Sequence, residues 1–98
     1  MANGHFAFIP EETLLSEEYK GMCVHAKALY PYMVARRAGA DTPFNYPYRE
    51  IRQDTGIRND MISKSIWEME AAGFLTRKHG GLENNRTLYY MTDSWLHL

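Results

Sequence analysis

The feature that most constrains this 98-residue chain is a tight turn between two short helical patterns, Asp54-Thr55-Gly56-Ile57-Arg58. Before the turn, Pro47 stands where a first helical residue is favoured, and no breaker follows until Gly56, which is predicted to close the helix as a C-cap. After the turn, Asn59 or Asp60 can cap a second helix. Its apolar positions recur at the spacing of one helix face: Ile62, Ile66, Met69 and Gly73.

A β-hairpin pattern follows the second helix directly. Phe74 to His79 and Arg86 to Thr92 are predicted strands, joined by a polar segment that begins with Gly80-Gly81. Two helices joined by a tight turn and followed by a hairpin indicate a winged helix-turn-helix, the hairpin being the wing. In that arrangement the second helix can present its outer face to the major groove of DNA.

The first half of the chain predicts a strand and further helices. His5 to Pro10 alternates as a short edge strand that Pro10 ends, and a short helical or irregular segment then runs to Gly21. Met22 to Ala38 predicts a helix in which Pro31 introduces a kink, the alternative being two helices that meet there. Phe44 to Tyr46 predicts a short strand. The apolar pattern of the long helix is Val24, Ala28, Leu29, Tyr32, Met33 and Ala35.

These patterns predict one α+β domain over residues 1–98, with three main helices and a small antiparallel sheet. Hydrophobic residues make up 45% and charged residues 23% of the chain, which is typical of a globular domain. The expected divisions are an N-terminal strand (1–10), first helices and loop (11–43), helix-turn-helix (44–73), wing (74–92) and tail (93–98).

Composition also limits the classes of function. The apolar runs are far shorter than the roughly 20 residues of a membrane helix, so no membrane association is expected. Cys23 is the single cysteine, which favours a reducing cytoplasm and, most simply, a small buried side chain. The four histidines are scattered, and no phosphate-binding glycine loop or nucleophile elbow occurs. We therefore expect no metal, no cofactor and no catalysis.

The stretch EIRQDTGIRNDMISKSIWEMEAAGFLTRKHGGLENNRTLYYMT resembles the winged helix of bacterial and phage regulators and of plasmid or phage replication initiators. The matching motifs are the turn TGI, the helix end EMEAAGFL and the basic strand with its glycine pair. FIPEETLLSEEYKGM followed by HAKALYPYM is similar to the opening of plasmid replication-initiator N-terminal domains. Arg58 and Met61 depart from the pattern, because the family usually has Ser or Thr at the first position and a small polar residue at the second.

The resemblance implies DNA binding, and the outer face of the second helix carries suitable side chains. Asn pairs with adenine, Lys reaches guanine or phosphate, and Asp can accept a hydrogen bond from cytosine. The net charge of the whole chain is only -1, so DNA binding must depend on the local placement of cations. The predicted DNA-binding residues are Arg49, Arg52, Arg58, Asn59, Asp60, Ser63, Lys64, Arg77, Lys78 and Arg86.

Three apolar residues are predicted to contact a second subunit or another partner: Trp67, Trp95 and Leu96. The leading hypothesis is a homodimer that binds specific sequences in double-stranded DNA, as a bacterial, phage or plasmid transcriptional regulator or as a replication-initiator module. The alternative is a winged helix used for protein–protein assembly with weak or no DNA binding, which Asp60, Met61 and Trp67 favour. A third hypothesis, an effector-sensing domain, finds no ligand constellation in the sequence.

Overall fold

The computed structural model describes residues 9–37, 43–79 and 87–92. The predicted fold class is confirmed, because three longer helices and an antiparallel sheet follow one another in the expected order. Two short helical turns precede them. Within the described residues the elements are α1 (Glu11–Leu14), α2 (Glu17–Lys20), α3 (Val24–Arg36), β1 (Phe44–Asn45), α4 (Tyr48–Thr55), α5 (Asn59–Ala71), β2 (Leu75–His79) and β3 (Thr87–Met91).

The sheet has the strand order β1-β3-β2, and both pairings are antiparallel. Leu75 lies opposite Met91 and His79 opposite Thr87, which confirms the hairpin, while β1 joins its far side through Phe44 and Tyr89. The hairpin tip (80–86, with Arg86) and the tail with Trp95 and Leu96 lie outside the described residues. So does most of the predicted N-terminal strand, and its described end, residues 9 and 10, is in no strand.

Helix α3 runs without interruption through Pro31, so the alternative of two helices is wrong. Pro31 has no N–H to donate to the carbonyl four residues earlier, which belongs to Lys27. The hydroxyl of Tyr19 donates to that Lys27 carbonyl instead, at 2.9 Å. A side chain from α2 thus supplies a hydrogen bond that the proline removes.

The buried stripe of α3 differs from the predicted one. Val24 is 76% exposed, and Ala28 and Tyr32 are exposed as well. The face of α3 that packs against α5 lies next to the predicted face. Its residues are still three and four positions apart, as in a single apolar stripe. Its buried residues are Ala26, Leu29, Tyr30, Met33 and Val34.

The turn between α4 and α5 has the predicted geometry at Gly56, whose φ of 76° is left-handed. Ile57 follows it and is buried. Two predictions at the helix starts are wrong by one residue. Pro47 is the N-cap of α4, with an extended ψ of 149°, rather than its first residue. Arg58, rather than Asn59 or Asp60, is the N-cap of α5 and makes no side-chain capping bond.

The core lies where α3, α5 and the sheet meet. Ile62, Ile66 and Met69 of α5 are fully buried, as the periodicity predicted. Ser65 is buried with them, and its hydroxyl donates to the Met61 carbonyl at 2.7 Å, so the polar group is satisfied. Cys23 is half-buried at the edge of this core rather than fully buried. In the part of the chain that the structure describes, no helix has the length and apolar character needed to cross a bilayer.

Candidate nucleic-acid interface

Helix α5 presents a continuous polar surface on the side opposite its buried stripe. Burial of the stripe fixes the rotation of the helix, because residues three and four apart share a face. The sequence prediction of this outer face is confirmed as far as exposure is concerned. Its exposed members are Asn59, Asp60, Ser63, Lys64 and Trp67.

Helix α4 holds two of these side chains by hydrogen bonds. Nη1 of Arg52 donates to Oδ1 of Asn59 at 2.7 Å. The hydroxyls of Tyr48 and Ser63 share a hydrogen bond of 2.8 Å. The predicted residue Arg52 therefore has a partner on α5, and Tyr48 is a site residue that the sequence analysis did not identify. The two contacts order the side of the outer face that lies next to α4.

The third feature of this surface is an ion pair at the start of α5. Arg58 contacts both carboxylate oxygens of Asp60, at 2.8 Å from Nη2 and 3.3 Å from Nε. The hydrogen bond from Arg58 lowers the pKa of Asp60, and the same bond raises the pKa of Arg58. Both side chains are largely exposed, so water and salt screen the pair and it can open at little cost.

The wing places its two described cations on opposite faces of the sheet, because side chains alternate along a strand. Arg77 lies on the face toward α5, where it forms two hydrogen bonds with Oε1 of Glu70, at 2.8 and 3.2 Å. Lys78 is exposed on the other face. Tyr89, opposite Arg77 on β3, is buried, and burial raises its pKa to about 12. Tyr89 is therefore neutral at physiological pH.

The cations near the interface thus fall into two groups. Arg58 and Arg77 pair with carboxylates, and Arg36 pairs with Glu50 while its guanidinium lies 4.6 Å from the centre of the Tyr46 ring. Across residues 9–37, 43–79 and 87–92, no acidic side chain pairs with the other predicted cations of the interface. Among them, Arg52 donates to Asn59, and the free cations are Arg49, Lys64 and Lys78.

Tyr46 makes a side-chain hydrogen bond to the end of α4. Its hydroxyl donates to Oδ2 of Asp54 at 2.5 Å, and burial followed by this bond raises its pKa above the ordinary value. The bond joins the residue before Pro47 to the last turn of α4. Together with the hydrogen bonds of Tyr48 and Arg52 to α5, this bond stabilises the position of α4.

Two residues of the site were missed by the sequence analysis, Tyr48 and Glu70. Tyr48 lies 15 positions before Ser63, and Glu70 lies seven before Arg77 with a change of element between them. No local spacing rule connects such pairs. Within the described residues, no group of three or more side chains of the metal-binding kind comes together.

No protein-family profile and no curated protein sequence matches the chain. Two solved structures do. One is described as "N-Terminal domain of DNA binding protein", with a TM-score of 0.70, and the other as "Structure of Rep-DNA complex", with a TM-score of 0.69. Each is 21% identical, and each alignment covers 92% of this chain and 76% of the other. The predicted resemblance is therefore confirmed for the fold, which this chain shares with two structures of DNA-binding proteins.

Proposed function

We propose that this chain is a non-catalytic module that binds double-stranded DNA, with α5 in the major groove and the wing on the phosphate backbone. The observation that carries the proposal is the outer face of α5, where Asn59, Ser63 and Lys64 are exposed and where no acidic side chain among the described residues pairs with Lys64. The fold shared with a protein seen in a Rep–DNA complex supports it.

The dimensions of this face suit a short stretch of base pairs. Asn59 and Lys64 are five residues apart, which corresponds to about 7.5 Å along a helix axis, or roughly two base-pair steps. Asn59 and Ser63 would contact base edges, since amide and hydroxyl groups find partners in the major groove. Sequence specificity is thus assigned to the first half of α5.

The free cations would contact phosphates. Arg49 lies on α4, Lys64 on α5 and Lys78 on β2, so the charges come from three different elements. Phosphate contacts need charge more than exact geometry, and they set the register of the protein on DNA. Arg58 and Arg77 can join them when their carboxylate partners release them. Arg86, in the wing tip, is assigned the same role from its position in the sequence.

We place the module in a cytoplasmic regulator or replication initiator that acts as a homodimer on paired half-sites. Trp95 and Leu96 are the proposed dimer contacts, because they are adjacent large apolar side chains in a tail of six residues, 93–98. Light scattering at high micromolar concentration is expected to give twice the mass of the chain. A monomer under those conditions would contradict the dimer and leave DNA binding untouched.

The proposed function is tested by replacing Lys64 with Ala and comparing it with Lys20→Ala, which removes the same charge from exposed α2. Binding to duplex DNA is measured by fluorescence anisotropy at several salt concentrations. Lys64→Ala is expected to weaken binding, and the Lys20 variant to bind as the wild type does. Equal effects of both variants would mean that net charge, rather than this face, attracts DNA.

A further inference from the structure

A groove lies between α2 and the second half of α5, away from the residues assigned to DNA. It is open to solvent, with a volume of about 430 Å³, and its apolar surface comes from Met22, Trp67, Ala71 and Ala72. Trp67 is 62% exposed, although it is the largest side chain on α5. Contiguous exposed apolar surface beside polar residues commonly marks a site where another protein binds.

The rim of the groove is acidic. Glu17, Glu18 and Glu68 line it, and none of the described Lys or Arg residues does. Glu68 is held in place, because its Oε1 accepts a hydrogen bond of 2.7 Å from the backbone N–H of Cys23. Glu17 is exposed in the first turn of α2, with Glu18 next to it. An occupant of the groove therefore meets negative charge along one side and an aromatic ring on the other.

We propose that this groove docks a segment of another protein that carries Lys or Arg residues beside one large apolar side chain. The apolar side chain would pack on Trp67 and the two alanines. The cationic groups would pair with Glu17 and Glu18, and one can lie over the indole face, which attracts cations. Tryptophan at the centre of a contact commonly contributes a large share of the binding energy.

Charge complementarity separates this occupant from the chain's own tail and from DNA. The chain's own tail, Asp93-Ser94-Trp95-Leu96-His97-Leu98, contains no Lys or Arg and adds a carboxylate. DNA would be repelled by the acidic rim. A second copy of this chain has cations outside the proposed DNA interface, such as Lys20 and Lys27, and is therefore tested through the oligomeric state. A separate basic segment meets none of these conflicts.

The groove and the residues assigned to DNA occupy successive parts of α5. Lys64 is three residues, or about 4.5 Å along the helix axis, from Trp67 and about 10 Å from Ala71. One helix would then contact DNA through its first half and a protein through its second half. The proposal does not depend on DNA binding, since the groove exists without it.

The probe is a fluorescently labelled helical peptide of Leu and Lys, and the control peptide has Glu in place of every Lys. The wild-type chain is expected to bind the Lys peptide at least tenfold tighter than the Glu peptide. The double variant Glu17→Lys/Glu18→Lys is expected to lose at least tenfold. The double variant Glu11→Lys/Glu12→Lys makes the same charge change on exposed α1, outside the groove, and is expected to lose less than threefold.

Trp67→Ala tests the apolar part of the site, with Trp67→Tyr as a conservative variant that retains most of the affinity. Trp67 is exposed, so both variants are expected to fold, which circular dichroism checks. Equal losses in the two charge-reversed variants would overturn the proposal, because attraction would then follow net charge alone. Dissociation of a dimer by Glu17→Lys/Glu18→Lys would also overturn it.

Discussion

Arg52 donates from Nη1 to Oδ1 of Asn59 at 2.7 Å, across the turn that joins α4 to α5. The bond turns the carbonyl side of the Asn59 amide toward α4 and leaves its two amide hydrogens for another partner. An asparagine that matches adenine needs both its oxygen and its nitrogen. The proposed interface would therefore present a donor to an acceptor atom, such as N7 or O6 of guanine.

Arg52→Ala is expected to shift the preference at one base pair toward adenine, because Oδ1 of Asn59 is then free to accept a hydrogen bond. Asn59→Ala is expected to remove the preference at that same pair. Selection of binding sites from randomised duplexes measures both. If Arg52→Ala weakens binding to all sequences equally and changes no preference, Arg52 contacts only phosphate.

The two described cations of the wing are expected to contribute unequally. Lys78→Ala is expected to lower the salt slope of DNA binding by about one unit, because one fewer counterion is released. Arg77→Ala is expected to change the salt slope much less, since Glu70 already neutralises Arg77. Glu70→Gln is then expected to strengthen binding by freeing Arg77. Anisotropy titrations at several salt concentrations give the slopes, and equal slopes for the Lys78 and Arg77 variants would contradict this assignment.

Asp60→Asn is expected to tighten DNA binding several-fold at low salt, because it releases Arg58 and removes a carboxylate near phosphate. The gain is expected to shrink as salt rises, since salt screens exposed charges. Glu12→Gln makes the same change in net charge on exposed α1 and serves as the control. Weaker binding confined to sites with cytosine at one position would show instead that Asp60 contacts a base.

Gly56→Ala is expected to destabilise the domain by about 1–2 kcal/mol, the cost of placing a side chain in the left-handed region. An added Cβ would meet nothing within 4 Å, so the cost comes from the backbone and not from a clash. Gly56→Asn is expected to cost less, because Asn adopts this region more readily. Urea unfolding measures the difference, and a Gly56→Ala variant as stable as the wild type would contradict the geometry of the turn.

The helix-turn-helix could be predicted from sequence because its signals are local. Glycine is favoured at position 56 because the φ angle there is left-handed. The buried residues Ile62, Ile66 and Met69 repeat at the helical period. The continuity of α3 could not be predicted in this way. The hydrogen bond that Pro31 removes is replaced by one from Tyr19, a residue on another helix. An estimate of the free-energy cost of Pro31 that considers α3 alone omits this hydrogen bond.

The candidate site was predicted as a set of residue types, and the structure adds their pairing. Arg77 and Lys78 are adjacent in sequence and equally cationic, yet only Arg77 faces Glu70. That difference arises because the strand alternates while α5 runs alongside one face of the sheet. Which cations are free is therefore a property of the tertiary structure.

The most direct test of the account is a titration of the wild-type chain with random-sequence duplex DNA at low and at moderate salt. Arg49, Lys64 and Lys78 are free cations of the described interface. Three phosphate contacts correspond to a slope of log K against log salt of about -2.7. We expect a slope at least that steep and binding tighter than about 100 μM at low salt, within the range of non-specific DNA binding. Binding weaker than about millimolar at low salt, or binding that does not change with salt, would contradict DNA binding by this face.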